Sequence, residues 1–351
     1  MPPILPDRTN VGMDRREGLP GARVMIANVY KSDIPLPKGV KIKYVRIIQN
    51  FCKTYFQWGR PMIGLALSYS TNPKVLRSDE HTPRAPLGIV PVEEDGSAYF
   101  YAPPGKMLMF QLLDEEFRAV HSMRSVTYLH GGELLTCTGC HAQEDTRKAP
   151  AMDTSSLTAM RRKPSVPQPE LGRIEPVSYF RQIRPIVQRS CLPCHAKEKK
   201  GPQAMDYPDL GDLFFQTSQV SRKSGSRTIP GYYGARACKL GQAVYQHWKD
   251  KKISEADYRQ VSQWLDCNSL RLTAHCEEQR QLAGELVWPQ LDIDPNDPLG
   301  LEGSPGEMTP GRTFADATRL HPAQAYTVFP KTAYDRTCAP TNYVPRRGPG
   351  L

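Results

Sequence analysis

Two copies of one short motif constrain this chain more than any other feature. Cys137-Thr138-Gly139-Cys140-His141 and Cys191-Leu192-Pro193-Cys194-His195 both read Cys-x-x-Cys-His. Two intervening residues set the reach between two thiols that form thioethers with the vinyl groups of a porphyrin. The adjacent histidine lies beneath the ring and ligates iron. With 9 cysteines and 8 histidines in 351 residues, roughly 0.005 such matches are expected by chance in a chain this long. Two accidental matches are therefore a poor explanation. The competing chemistry is a zinc cage built from both Cys-x-x-Cys pairs. Those pairs stand 54 residues apart in text of different character, and a shared cage leaves both histidines without a role. The motifs thus predict two covalently attached c-type haems, held by Cys137, Cys140 and His141 and by Cys191, Cys194 and His195.

The text around the motifs changes character between them. Residues 1–20 are Pro- and charge-rich and read as an extended lead-in. From Gly21 the pattern is strand-like. Lys41-Ile42-Lys43-Tyr44-Val45-Arg46-Ile47-Ile48 alternates as a half-buried strand does. Gly88 to Leu113 holds short apolar runs separated by Asp95-Gly96 and Pro104-Gly105 punctuation, which predicts a β-sandwich. The first motif closes this segment. Residues 151–174 read as a Pro-rich linker. Beyond it, Tyr179, Phe180, Ile183, Ile186 and Val187 have helical spacing running into Cys191. Lys239 to Trp248 is a second helix, and Ser254-Glu255-Ala256-Asp257 is a capping box opening a third. Residues 294–351 are rich in Pro and Gly and read as an extended tail. The expected fold is α+β and multidomain. A β-sandwich-like domain (21–150) ends in the first haem motif, and a mainly α-helical cytochrome c-type domain (175–293) carries the second.

Iron needs a second axial ligand or an open face. His247, on the helix from Lys239 and beside Tyr245 and Trp248, is the chosen distal ligand of the second haem, with Met205 and His275 as alternatives. Two histidine ligands leave no open position and favour electron transfer over substrate binding. His121 and His130 are candidate neighbours of the first haem.

The formal net charge is +10, and such a surface suits an acidic redox partner protein; no nucleic-acid partner is expected. No run of 18 apolar residues exists, so no segment is expected to span a membrane. Haem c is attached outside the cytoplasm, which predicts a periplasmic or otherwise extracytoplasmic location. Residues 1–8 carry no apolar signal region, so the export signal is expected on an upstream part.

The stretch from Gly21 to His141 resembles the middle domain of the hydrazine synthase alpha subunit family. The text that carries it is Gly21-Ala22-Arg23-Val24, Asn28-Val29-Tyr30, Gly88-Ile89-Val90-Pro91-Val92-Glu93-Glu94-Asp95-Gly96-Ser97-Ala98-Tyr99-Phe100 and the first motif. The second half is similar to the family's C-terminal cytochrome domain, through Phe180 to Val187 before Cys191, Ser226 to Pro230, Tyr233 to Arg236 and Trp264-Leu265-Asp266-Cys267-Asn268. The resemblance covers about residues 1–290. It implies a haem-bearing redox protein, other subunits of a complex as partners, and an upstream β-propeller that this chain does not carry. It also implies an unusual first haem, in which the motif histidine binds zinc and a tyrosine four residues downstream ligates iron. Here Ala142, Gln143, Glu144 and Asp145 follow His141, and no tyrosine occurs before Tyr179. The residues therefore do not carry over hydrazine-forming chemistry, and His141 is expected to ligate iron. Should zinc bind, Cys52 is the candidate thiolate, against the plainer reading of a buried core cysteine.

Three functions follow: a dihaem electron-transfer module, a redox enzyme subunit acting on small nitrogen compounds at the first haem, or an extracytoplasmic binding module with structural metal sites.

Overall fold

The computed structural model describes residues 21–51, 83–104, 106–123, 125–129, 132–140, 154–198, 228–274 and 277–289, and the backbone of 56–57 and 60–61. The architecture is α+β. Strands β1 (Ala22–Ile26), β2 (Tyr44–Asn50), β3 (Phe56–Gln57), β4 (Arg60–Pro61), β5 (Arg84–Pro91), β6 (Ala98–Ala102), β7 (Met107–Leu113), β8 (Ala119–Ser122), β9 (Thr127–Tyr128) and β10 (Leu134–Cys137) come first. Helical segments follow: α1 (Arg184–Ile186), α2 (Leu192–Glu198), α3 (Gly234–Ala237), α4 (Lys239–Lys249), α5 (Glu255–Asp266) and α6 (Glu278–Leu282).

Two sheets face each other. One has the order β10-β1-β6, with β1 parallel to β10 and antiparallel to β6. The other is antiparallel in the order β5-β2-β7-β8, with β9 also on β7. Period-two alternation sends Val24, Val45, Ile47, Phe100, Leu108, Phe110 and Leu112 into one shared core. Short strands separated by Asp-Gly and Pro-Gly turns predict sheet structure in this part of the chain, and the described residues form it.

The other face of the second sheet is also buried, and this explains the near-continuous apolar run of β7. Ile48 and Met109 join a core made otherwise from the second half of the chain, including Tyr179, Ile183, Tyr258, Trp264 and Leu265. The described residues are thus layered sheet, sheet, helices. Fully burying one such large side chain stabilises by about 1.5–3 kcal/mol. Trp264 is completely buried and donates its indole N–H to the Leu270 carbonyl at 2.8 Å.

A charged residue pins the helical layer to the sheet. Arg46, in the middle of β2, points into this second interface and is completely buried. Its guanidinium forks onto Glu170 (2.7 and 2.8 Å) and also donates to Gln111 Oε1 (3.0 Å), Asp266 Oδ2 (3.2 Å) and the Phe117 carbonyl (3.0 Å). All five N–H groups are used. Asp266, at the end of α5, accepts in addition the amides of Ala119 and Ala235, each at 2.9 Å. The residue before Ala235 is Gly234, with φ +57° and a position where a Cβ would stand 2.3 Å from Asp266 Oδ1. Only glycine fits that turn.

Residues 154–174, read from sequence as a linker, lie along the sandwich. Tyr101 donates to the Ser165 carbonyl and Ser165 to that of Tyr99, both at 2.9 Å, while Ile89 and Gln168 exchange bonds of 2.9 and 3.0 Å. A 3₁₀ turn, Thr158–Arg161, covers Met25 and Tyr99 through Ala159. Its start is tied to Asp95, whose carboxylate accepts from Thr158 N (2.8 Å), Ser97 N (2.9 Å) and Ser97 Oγ (2.6 Å). Prolines make this segment extended, and its backbone groups find partners on strand edges. Among the described residues no helix is long and apolar enough to cross a membrane.

Candidate functional site

The first motif begins where β10 ends. Cys137 pairs in register with Ile26, and its carbonyl accepts from Ala27 N at 2.8 Å. The chain then bends, and Cys140 N donates to the Lys31 carbonyl at 2.9 Å. The bend passes so near residue 31 that a Cβ on Gly139 would lie 2.2 Å from that carbonyl oxygen. Glycine there is a packing requirement. Cys137 and Cys140 both pack against the sandwich core. Burial pushes the Cys140 thiol up to about 12, with Cys137 adding to the effect, and burial also raises Cys137. Burial thus disfavours the thiolate form of both. His141, His130 and Cys52 lie outside the described residues.

The second motif sits on a helix. A π-helical turn (Tyr179–Ile183), α1, a second π-helical turn (Val187–Cys191) and α2 run without interruption. Cys191, Cys194 and His195 stand at i, i+3 and i+4, so they share one helical face. Cys191 is half-buried and, with Leu192, packs on the helical core; Cys194 is exposed and its Sγ lies 3.5 Å from Glu198 Oε1. His195 is half-buried, and α2 has no buried residue at all. Burial raises the Cys191 thiol, the Asp257 carboxylate raises it further, and Arg189 opposes both. None of the four motif thiols is in a disulfide.

His247 lies on α4, as the helical spacing predicts, and is half-buried with a buried Nδ1 that has no hydrogen-bond partner. Its neighbours Tyr245 and Trp248 pack on the same core as Cys191. α4 itself packs on α3 and α5, whereas α2 packs on the π-helical turn before it. The alternatives Met205 and His275 lie outside the described residues. His121 is buried on β8, opposite Leu112. Among the described residues, no group of three or more His, Cys, Asp or Glu side chains is placed to hold a metal ion.

Sequence reasoning missed two residues. Arg46 reads as one more basic position in an alternating strand, and nothing local distinguishes it. Asp257 reads as a helix cap, yet its side chain reaches Arg189 and Ser190, just ahead of Cys191.

The second motif has the donor chemistry of a thioether-linked haem, free thiols on an i, i+3, i+4 face; the uncommitted imidazole nitrogen of His247 lies on α4, which packs on α3 and α5. The fold and these positions define an α+β protein with a Cys-x-x-Cys pair at the end of a sandwich edge strand and a second on a helix. Residues 40–142 match the family model of the hydrazine synthase alpha subunit middle domain. Among solved structures, Kuenenia stuttgartiensis hydrazine synthase is similar at 16% identity and a TM-score of 0.45, over 72% of this chain and 43% of that one. The chain therefore spans less than half of that structure's chain. No curated protein matches it.

Proposed function

We propose that this chain is a dihaem c-type cytochrome module, resembling the C-terminal part of the hydrazine synthase alpha subunit, that binds two haems covalently and transfers electrons. The observation that carries the reading is the common helical face of Cys191, Cys194 and His195, repeated in sequence at Cys137, Cys140 and His141. Cys137 and Cys140 would hold the first haem and Cys191 and Cys194 the second, with His141 and His195 as axial ligands. His247 is the proposed distal ligand of the second. When bound, the haem irons supply reversible one-electron chemistry. The chain's own part would be to hold each haem through the two cysteines and the histidine of its motif, beside the apolar cores on which Cys137, Cys140 and Cys191 pack. Thioether formation would require a location outside the cytoplasm, and the net charge of +10 suits an acidic redox partner.

The match of residues 40–142 to the hydrazine synthase alpha middle domain favours a second reading, a redox enzyme subunit acting on a small nitrogen compound at the first haem. It needs an open iron face there and partner subunits. Zinc at His141 with Cys52 belongs to that reading.

The test is expression in a periplasm with the c-haem maturation machinery, followed by intact mass, metal analysis and a pyridine haemochrome spectrum. Two haem masses are expected, with one thioether to each haem lost in Cys140→Ala and Cys194→Ala. Two low-spin haems support electron transfer, and a high-spin first haem supports the enzyme. Zinc without covalent haem refutes both.

A further inference from the structure

The approach to the second motif is held by a residue from another helix. Ser254 caps α5, its hydroxyl accepting from Asp257 N at 3.1 Å. In a capping box the side chain at this third position turns back to the cap residue's amide. Here the Asp257 carboxylate is directed across to the helix before the motif. One oxygen pairs with the Arg189 guanidinium, and the other accepts from Ser190 Oγ at 3.3 Å. Arg189 and Ser190 belong to the π-helical turn that ends at Cys191. Such turns carry one extra residue and a less favourable hydrogen-bond ladder, so they persist where something outside the helix holds them. Asp257 is nine-tenths buried, while the Arg189 side chain is more than half exposed. The anchor is therefore fixed by the core and the anchored group is at the surface. Val261, Trp264 and Leu265, farther along α5, are buried in the same core on which Cys191 packs.

Resting on the cytochrome reading above, we infer that Asp257 is the positioning residue of the second haem: its carboxylate clasps the Arg189–Ser190 turn to present Cys191 to the vinyl group, and offsets the Arg189 cation beside that thioether. Without that carboxylate the Arg189 cation would stand unpaired and disfavour the oxidised, more positive iron, so the pair would hold the midpoint potential down. The contacts of its side chain are Arg189 and Ser190, so it acts through the turn and through its field.

The experiment uses the full chain matured with haem, with the potential of the second haem measured by spectroelectrochemistry and occupancy of the Cys191–Cys194 peptide by mass spectrometry. Asp257→Asn keeps an acceptor for Ser190 and removes the charge. It should keep its haem while the reduction equilibrium shifts about tenfold toward the reduced form, which is 59 mV for one electron. Asp257→Ala removes both holds and should lose occupancy at the second motif while the first haem stays loaded. Ser254→Ala removes the helix cap alone and should lower the melting temperature without moving the potential. An unchanged potential in Asp257→Asn, unchanged occupancy in Asp257→Ala, or an equal potential shift in Ser254→Ala overturns the assignment of Asp257 and leaves the cytochrome reading standing. Wild-type protein without haem on the Cys191–Cys194 peptide overturns the cytochrome reading itself.

Discussion

Replacing Arg46 with methionine tests how the helical layer is held to the sheet. Arg46 has no exposed surface, and neither does Asp266; Glu170 is 1% exposed. Solvent screening is therefore slight, and the pair is not of the surface kind that contributes little. Burial works against both charges. The Arg46 guanidinium is nevertheless held above its ordinary range by Glu170 and Asp266, while burial leaves Asp266 above the usual carboxylate range despite Arg46 and two amides. Removing one partner of a buried pair leaves the other uncompensated and costs about 3–5 kcal/mol. Methionine fills most of the volume, so little of the loss comes from a cavity. For 150–250 ordered residues each kcal/mol moves the melting temperature by about 2–4 °C, which gives a fall of about 6–20 °C. Arg46→Lys keeps the charge but not the fork onto Glu170, and should fall between wild type and Arg46→Met. The charges left behind in Arg46→Met can be relieved by protons. Asp266, already raised, then rises further, so the folded state takes up a proton that the unfolded state releases. That contribution is fully present below the unfolded value, about 3.9, and is lost as pH rises through the folded value. The deficit against wild type should therefore be largest at neutral pH and shrink toward pH 5. Urea titrations of the three proteins at pH 5 and pH 7.5 measure this. A loss under about 1 kcal/mol in Arg46→Met at pH 7.5, or Arg46→Lys equal to wild type, would refute the reasoning.

Other outcomes follow from the same geometry. Gly139→Ala drives a methyl against the Lys31 carbonyl, 2.2 Å away; it should break the Cys140–Lys31 bond, lower the melting temperature and reduce haem on the first motif only, read by mass. Burial opposes ionisation of Asp95, but the Ser97 hydroxyl and the Thr158 and Ser97 amides hold its carboxyl below the usual range. Its contribution is present above the unfolded value, about 3.9, and is lost as pH falls through the lower folded value. Asp95→Asn should therefore be less stable than wild type at neutral pH, with the difference closing below about pH 4 in a thermal-melt series. A constant difference across that range would show that the ionised carboxylate is not what matters there.

The local elements were legible because each depends on neighbours in the chain. Alternation placed β2, since side chains two apart share a strand face, and the turn residues Asp95-Gly96 and Pro104-Gly105 set off β6 and β7. Helical spacing placed α4, and Ser254 with Asp257 marked the start of α5 because a cap is a contact over three residues. The two Cys-x-x-Cys-His motifs are visible from spacing alone, and the spacing of Cys191, Cys194 and His195 becomes a shared face as soon as the segment is helical.

Tertiary structure decided what those elements do to each other. A period of two says that β7 has two faces but not that a helical layer covers the second, so Ile48 and Met109 read as ordinary strand residues. The segment 154–174 looks like a linker because prolines and polar residues suit both a free chain and one bonded along a strand edge; only the bonds at Ser165 and Gln168 separate the two. Arg46 meets Glu170 and Asp266 across 124 and 220 residues of chain, and Asp257 meets Arg189 across 68. Charges so far apart in sequence leave no periodicity and no spacing to read. Their pairing is set by how the layers stack, because burying a charge is tolerable only where the fold brings its partner to the same place.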